Sequence, residues 1–355
     1  MAFDLNKILR PHIAQLKPYS SARDEYSGKE GVFLDANENP FGSITADDFN
    51  RYPDPYQFAL KTKISAIKDV PVDQIFLGNG SDEAIDLLMR AFCRPGLDNI
   101  IILPPTYGMY EVSAEVNDIA IKKVNLTKDF QLRTDAILDA VDENTKIIFI
   151  CSPNNPSGNK VDREDILKVI KGFDGLVVVD EAYIDFSDEP SFTTELKNYP
   201  NLLVMQTFSK AWGLASLRLG MAFASEEITK IINKIKPPYN ISGLTQETVL
   251  AAIDDTDKMK KMVAEIMEER DFLQKAFEKM DLIKKIYPSH ANFLLVEVPA
   301  AKKTYDYLIE NQIIVRDRSK VVLCNECLRI SVGTRAENER LLEALQQCPA
   351  ELATA

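Results

Sequence analysis

The stretch Gly175-Leu176-Val177-Val178-Val179-Asp180-Glu181-Ala182-Tyr183 decides the fold. Four consecutive apolar residues, three of them β-branched, leave no polar face for solvent. Such a run reads as a strand buried on both sides, as in parallel sheets covered by helices. The carboxylate that closes it, Asp180, would sit in low dielectric and want a cationic partner. Outward from this stretch the pattern repeats. Further apolar runs lie at 32–34, 75–77, 100–103, 147–150, 202–205 and 221–223, separated by helical patterns. Residues 81–93 supply one such helix: Ile85, Leu88, Met89 and Phe92 fall at i, i+3, i+4 and i+7 on one face. Ser81 suits its N-cap, and Asp82 and Glu83 suit the positive end of its dipole. The expected fold class is α/β, with a large unit built on a mostly parallel seven-stranded sheet flanked by helices.

The pattern changes after a helix near 226–235, at Pro237-Pro238. A long amphipathic stretch follows at about 255–280, with Met259, Val263, Ile266, Leu273 and Phe277 on one side. Apolar runs at 293–296, 313–315 and 328–332 then alternate with polar segments, which reads as a small α+β unit. The expected organisation is an N-terminal arm (1–30), a large α/β domain (31–240) and a small α+β domain (241–355). No internal repeat or low-complexity segment interrupts it.

The 355 residues are 45% hydrophobic and 27% charged, an ordinary globular composition that excludes disordered and collagen-like classes. Lys and Arg number 42 against 54 Asp and Glu, a net charge of −12, which argues against binding nucleic acid or an anionic membrane. Two histidines are too few for a multi-His metal enzyme. Five scattered cysteines do not make a disulfide framework, and the pair Cys324/Cys327 lacks the second pair or nearby His of a zinc site. The start MAFDLNKILRPH lacks the apolar core of a signal peptide, and no apolar run nears the ~18 residues that span a bilayer. A soluble, cytoplasmic protein with reduced thiols is expected.

Four pieces fall just past expected strand ends, where open parallel sheets bind ligands. In Leu77-Gly78-Asn79-Gly80-Ser81-Asp82, glycines allow close backbone approach and the helix start offers free amides to a phosphate. Taken alone, it equally suits a tight strand-to-helix turn. Ser152-Pro153-Asn154-Asn155-Pro156-Ser157-Gly158 makes a rigid loop that fixes an Asn donor, or simply a turn. Asp180-Glu181-Ala182-Tyr183 puts a carboxylate at a strand end, where the plain alternative is a structural cap. Thr207-Phe208-Ser209-Lys210-Ala211-Trp212-Gly213, then Leu217-Arg218-Leu219-Gly220, puts a lysine among small residues. A lone Lys is usually a solvated surface group, but a partly dry one loses pKa and attacks carbonyls. Together the set fits pyridoxal 5′-phosphate, which needs a lysine amine, an acid for its ring nitrogen and a phosphate cup.

The sequence resembles the fold-type I aminotransferases over nearly its whole length. Within them it is similar to the histidinol-phosphate aminotransferase family. The residues that carry this are Leu16-Lys17-Pro18-Tyr19-Ser20-Ser21-Ala22-Arg23, Leu34-Asp35-Ala36-Asn37-Glu38-Asn39-Pro40, Arg51-Tyr52-Pro53-Asp54-Pro55, Pro105-Thr106-Tyr107-Gly108-Met109-Tyr110 and Cys327-Leu328-Arg329-Ile330-Ser331-Val332-Gly333. The resemblance implies that Lys210 joins the cofactor and carries the proton, and that Asp180 pairs with the ring nitrogen. It implies Tyr183 and Asn155 on the phenolic oxygen and Tyr107 on the ring face. Gly80, Ser81, Ser209 and Arg218 would hold the cofactor phosphate, with Tyr52 reaching it across a homodimer interface. Asp82 fits that cup poorly and is expected to turn towards the helix amides. Arg329 and Arg316 would bind the substrate's acidic end, with Tyr19 and Asn37 of the arm closing over it; His290 reads as structural. The implied reaction exchanges an amino group between L-histidinol phosphate and 2-oxoglutarate, giving imidazole-acetol phosphate and glutamate. An aromatic aminotransferase and a phosphothreonine decarboxylase on the same scaffold are the alternatives.

Overall fold

The structure, a computed structural model, describes residues 3–19 and 31–349. Its main sheet has seven strands: β1 (Ile75–Asn79), β2 (Asn99–Ile102), β3 (Ala120–Lys123), β4 (Thr145–Cys151), β5 (Leu176–Asp180), β6 (Leu202–Thr207) and β7 (Leu219–Phe223). Their order across the sheet is β1-β7-β6-β5-β4-β2-β3. The strands from β6 to β3 pair in parallel, and only β7 runs antiparallel, to both β1 and β6. Helices cover both faces, so β2 and β4 to β7 have no wet side. Val177 and Val179 of β5 enter one core while Leu176 and Val178 enter the other, the period-2 alternation of a strand. The continuous apolar runs read from the sequence follow from this double burial.

Six of the seven runs expected as strands are strands. The exception is 32–34, where Val32 and Leu34 are exposed and no strand forms. The seventh strand is β3, with sequence Ala-Ile-Lys-Lys. Its edge position and half-exposed pattern leave no apolar run to find. A second correction concerns the helix after β1. It spans Gly80–Phe92 with Asn79 at the cap position, not Ser81. The Glu83 carboxylate accepts from the Asn79 N–H.

The small unit carries a four-stranded antiparallel sheet: β8 (Lys285–Ile286), β9 (Phe293–Glu297), β10 (Arg316–Asp317) and β11 (Cys327–Ser331), in the order β10-β11-β9-β8. The run expected at 313–315 precedes the two-residue β10. Phe293 and Leu295 of β9 join the main core, and Leu294 and Val296 join the core of the small unit. Ile241, Val249, Ile253, Met259 and Val263 pack into the main core. The helix Thr256–Phe277 then passes into the small unit, where Leu273 and Phe277 are buried.

The start of the arm is fastened to the large unit. Ile8, Leu9 and Ile13 are buried with Ala91 and Phe92. The Arg10 N–H donates to the Ala91 carbonyl at 3.1 Å, and Lys234 Nζ donates to the Ile13 carbonyl at 2.8 Å. Residues 20–23 of the arm motif lie outside the described residues.

Candidate active site

The carboxyl ends of β1, β4, β5 and β6 lie along one edge of the sheet, where they surround a cavity. Gly80, Ser81, Tyr107, Asn155, Asp180, Tyr183, Ser209, Lys210 and Arg218, all singled out in the sequence, line it. Two backbone features shape its floor. Gly80 holds φ +70°, and an added Cβ there would meet Arg218 Nη2 at 2.6 Å. Gly220 lies so close to the helix start that a Cβ would meet the Gly80 carbonyl carbon and the Ser81 nitrogen at 2.3 Å each. Arg218 itself adopts left-handed φ +52°, a conformation that costs a non-glycine residue energy and clusters at functional sites.

Asp180 ends β5 and is almost wholly buried. The Tyr110 hydroxyl donates to its Oδ2 at 2.6 Å and the Ala182 N–H to its Oδ1 at 3.1 Å. Burial nevertheless dominates and pushes its pKa up to about 6. Among the described residues no Lys or Arg forms an ion pair with it. Lys210 follows β6. Burial first, then the charges of Arg329 and Arg218, hold its pKa below the ordinary lysine value. Its Nζ lies 5.7 Å from the centre of the Tyr183 ring. Tyr183 packs edge-on against Phe293 of β9 at 5.2 Å, which seats the small unit on this edge.

Asp82 differs from the expectation. Its Oδ1 accepts from the Tyr107 hydroxyl at 3.0 Å, its Oδ2 lies 3.5 Å from Arg218 Nη2, and it lines the cavity. With the Arg218 guanidinium beside it, this carboxylate is compensated by charge, not by helix amides.

A second, open cleft adjoins the cavity and shares Tyr107, Asn155, Tyr183 and Lys210 with it. Arg316 and Arg329 line this cleft. They stand directly opposite each other in the β10–β11 pair, so both project from the same face. Arg329 donates to Asn155 Oδ1, which leaves Asn155 Nδ2 as the donor end. His290 is packed at the other end of the Asn-Pro loop: its N–H donates to the Gly158 carbonyl at 2.7 Å.

Three expected site residues stand apart within one chain. Tyr52 is half exposed and stacks on Tyr239 at 4.5 Å, in a separate groove that also contains Asn37. Glu38 ties these two motif pieces together: it pairs with Arg51 at 2.7 Å and accepts from the Tyr52 N–H at 2.7 Å. Tyr19 is exposed. Sequence reasoning missed Tyr110, Thr207 and Arg318. Tyr110 sits three residues after Tyr107, inside the helix Met109–Val116 that follows it, and Arg318 two after Arg316, the spacing that puts side chains on one face of a strand.

The profile of the family "Aminotransferase class I and II" matches residues 32–345. This chain belongs to the class I and II aminotransferases. The aminotransferase is 58% identical, over 346 residues, to the histidinol-phosphate aminotransferase of Cytophaga hutchinsonii; the match covers 98% of this chain and 99% of that protein. It is 54% identical over 343 residues to the protein of the same name from Parabacteroides distasonis, covering 97% and 98%. Among solved structures it is similar to the histidinol-phosphate aminotransferase from Clostridium acetobutylicum. That likeness has a TM-score of 0.79 at 26% identity and covers 86% of this chain and 92% of that one.

Proposed function

We propose that this aminotransferase moves the amino group of L-histidinol phosphate to 2-oxoglutarate, giving imidazole-acetol phosphate and L-glutamate, with pyridoxal 5′-phosphate as cofactor. The observation that carries the reading is that Lys210 lines two spaces at once. It shares the cavity with buried Asp180 and the cleft with Arg316 and Arg329. Relatives at 54–58% identity bearing the name histidinol-phosphate aminotransferase support the choice of substrate.

The residues fit the cofactor. Asp180 is a buried carboxylate with no Lys or Arg ion partner among the described residues, and it suits a protonated ring nitrogen. Arg218 and the first amides of Gly80–Phe92 suit a phosphate. When bound, the cofactor supplies an aldehyde that accepts the amino group and a ring that draws electrons from the reacting carbon. The protein's part is positional and acid–base. Tyr107 offers an aromatic face; Tyr183 and Asn155 Nδ2 offer donors to the phenolic oxygen. Gly80, Ser81, Ser209 and Arg218 hold the phosphate. Lys210 Nζ, its pKa held down, can take the proton from the substrate carbon and return it. Arg329 and Arg316 hold the substrate's anionic end, and Tyr19 and Asn37 help to cover it. The working unit is a homodimer in which Tyr52 reaches the phosphate of the partner's site. Its five free cysteines suit the reducing cytoplasm.

Borohydride reduction of the purified protein followed by peptide mapping tests the lysine. The label is expected on the peptide containing Lys210, with no turnover by Lys210→Ala. Label on another peptide refutes the assignment. Amino transfer with 2-oxoglutarate is then compared for histidinol phosphate, phenylalanine, tyrosine and phosphothreonine. A preference for any amine other than the first overturns the substrate.

A further inference from the structure

The open cleft beside Lys210 is more cationic than two arginines make it. Its lining includes Lys123, Arg316, Arg318, Lys320 and Arg329. The acid in the lining, Glu111, is taken by Lys123. A chain of net charge −12 has thus gathered positive charge at one place, which draws anions there.

Arg318 has no role in the reading above. It lies two residues beyond Arg316, and its N–H donates to the Cys327 carbonyl at 2.9 Å. The β10–β11 register of Arg316 opposite Arg329 therefore continues by one step. Residues at this spacing project from one face, so the three guanidinium side chains share it. The charge of the intervening acid, Asp317, weighs less on Arg318 than burial and Arg316 do. Asp317 Oδ1 accepts from the Ser319 N–H at 2.8 Å and from its hydroxyl at 2.6 Å. The Arg318 side chain is half-buried, and its Nε is a buried donor with no hydrogen-bond partner. Such an orphan is costly unless something occupies it. The electrostatics agree: after burial, Arg318 is the largest charge depressing the Arg329 pKa, ahead of Arg316.

We propose that Arg318 completes a three-arginine seat for the phosphate monoester end of the substrate. This deepens the proposed function and rests on it for the identity of the substrate. A carboxylate presents one planar edge, which a single bidentate arginine satisfies; a phosphate monoester presents three oxygens and a second negative charge. Arg329 alone serves a carboxylate, and Arg318 adds contacts that only the larger, doubly charged group can use. Arg318 is thus a specificity residue. It raises affinity for the phosphorylated substrate without equally raising affinity for the dicarboxylate that shares the site.

The test measures binding of two unreactive probes, propyl phosphate and glutarate, to the cofactor-loaded protein by calorimetry at about pH 8. Wild type, Arg318→Gln and Arg318→Lys are compared. Propyl phosphate is expected to bind Arg318→Gln about 10- to 100-fold more weakly, the usual worth of one charge-assisted contact. Arg318→Lys is expected to recover part of that loss, and glutarate to change by less than about threefold. Equal weakening of both probes assigns Arg318 a merely structural role and overturns the proposal, as does no weakening of either. A wild-type protein that does not bind propyl phosphate also overturns it. A wild-type protein that binds propyl phosphate but does not turn over histidinol phosphate leaves the seat standing and refutes the substrate instead. If Arg318→Gln does not fold, the Lys variant alone decides: unchanged selectivity between the two probes overturns the seat.

Discussion

Asp180 sets burial against function. A free aspartate titrates near 3.9; here burial moves the pKa to about 6 despite two hydrogen bonds to the carboxylate. Between those two values the folded chain keeps a proton that the unfolded chain has released. Stability therefore falls as pH rises through that window, and the whole cost is present above about pH 6. Two units at 1.36 kcal/mol each put that cost at about 3 kcal/mol. Asp180→Asn does not titrate. Without cofactor, the stability of this variant relative to wild type is expected to improve by about 3 kcal/mol between about pH 4 and about pH 7. Urea unfolding across that range measures it, and a flat difference removes burial as the cause. The carboxylate is kept because a cation can be set against it, so loading the cofactor is expected to abolish the pH slope in the wild type. The same logic explains why Asp180 could be read from sequence and Tyr110 could not. A carboxylate ending an apolar strand advertises an unsolved electrostatic problem. A tyrosine on the helix Met109–Val116, 70 residues away, looks like any core aromatic until its hydroxyl is seen 2.6 Å from that carboxylate.

The elements read most clearly were those buried on both sides. The runs in β1, β2, β4, β5, β6 and β7 are apolar because helices cover both their faces, and that pressure is written into each run. β3 escapes because an edge strand need not be apolar, and its lysines protect the edge. The run at 32–34 misleads for the opposite reason: it is apolar yet exposed, so its hydrophobicity does not report burial in this chain. Where the chain must cross itself closely, the signal sits in single glycines. Gly220 of β7 touches the backbone at the start of Gly80–Phe92, leaving no space for a methyl group. Gly220→Ala must push β7 off β1 or tilt the helix start, and overpacking of this kind costs about 1–3 kcal/mol. The variant is expected to lose that much stability in urea and to bind the cofactor more weakly, because the helix amides move. Gly108→Ala, where an added Cβ meets nothing within 4 Å, serves as the control and is expected to change neither. Equal behaviour of the two variants refutes the close-contact argument.

At the scale of the molecule, the segment from 32 to 58 is the feature that one chain does not explain. Val32, Leu34, Phe41, Ile44 and Phe58 are exposed, as is most of their apolar surface. Large apolar side chains exposed together in one stretch of chain point to a contact with another molecule. The same segment holds Tyr52, which the resemblance sends to a partner's site, and Asn37, which it sets over the substrate; both lie outside the cavity of their own chain. The proposed twofold dimer would account for both facts: it would cover the apolar segment and set Tyr52 of one subunit at the phosphate cup of the other. This arrangement makes a quantitative prediction. Tyr52→Ala and Lys210→Ala proteins are each expected to be nearly inactive alone. Mixed in equal amounts and allowed to exchange subunits, half the dimers become hybrids. In each hybrid one site carries both changes and the other carries neither. Activity is then expected to rise to about one quarter of the wild-type value, as one site in two is intact in half of the dimers. If each chain uses its own Tyr52, every site in the hybrid keeps one lesion and mixing restores nothing. Ile44→Asp separates assembly from chemistry. A charge on the apolar segment is expected to give a monomer by sedimentation that still folds, because Ile44 is fully exposed in the single chain, but turns over no substrate. A fully active monomer would show that one chain suffices and that the apolar segment serves another purpose.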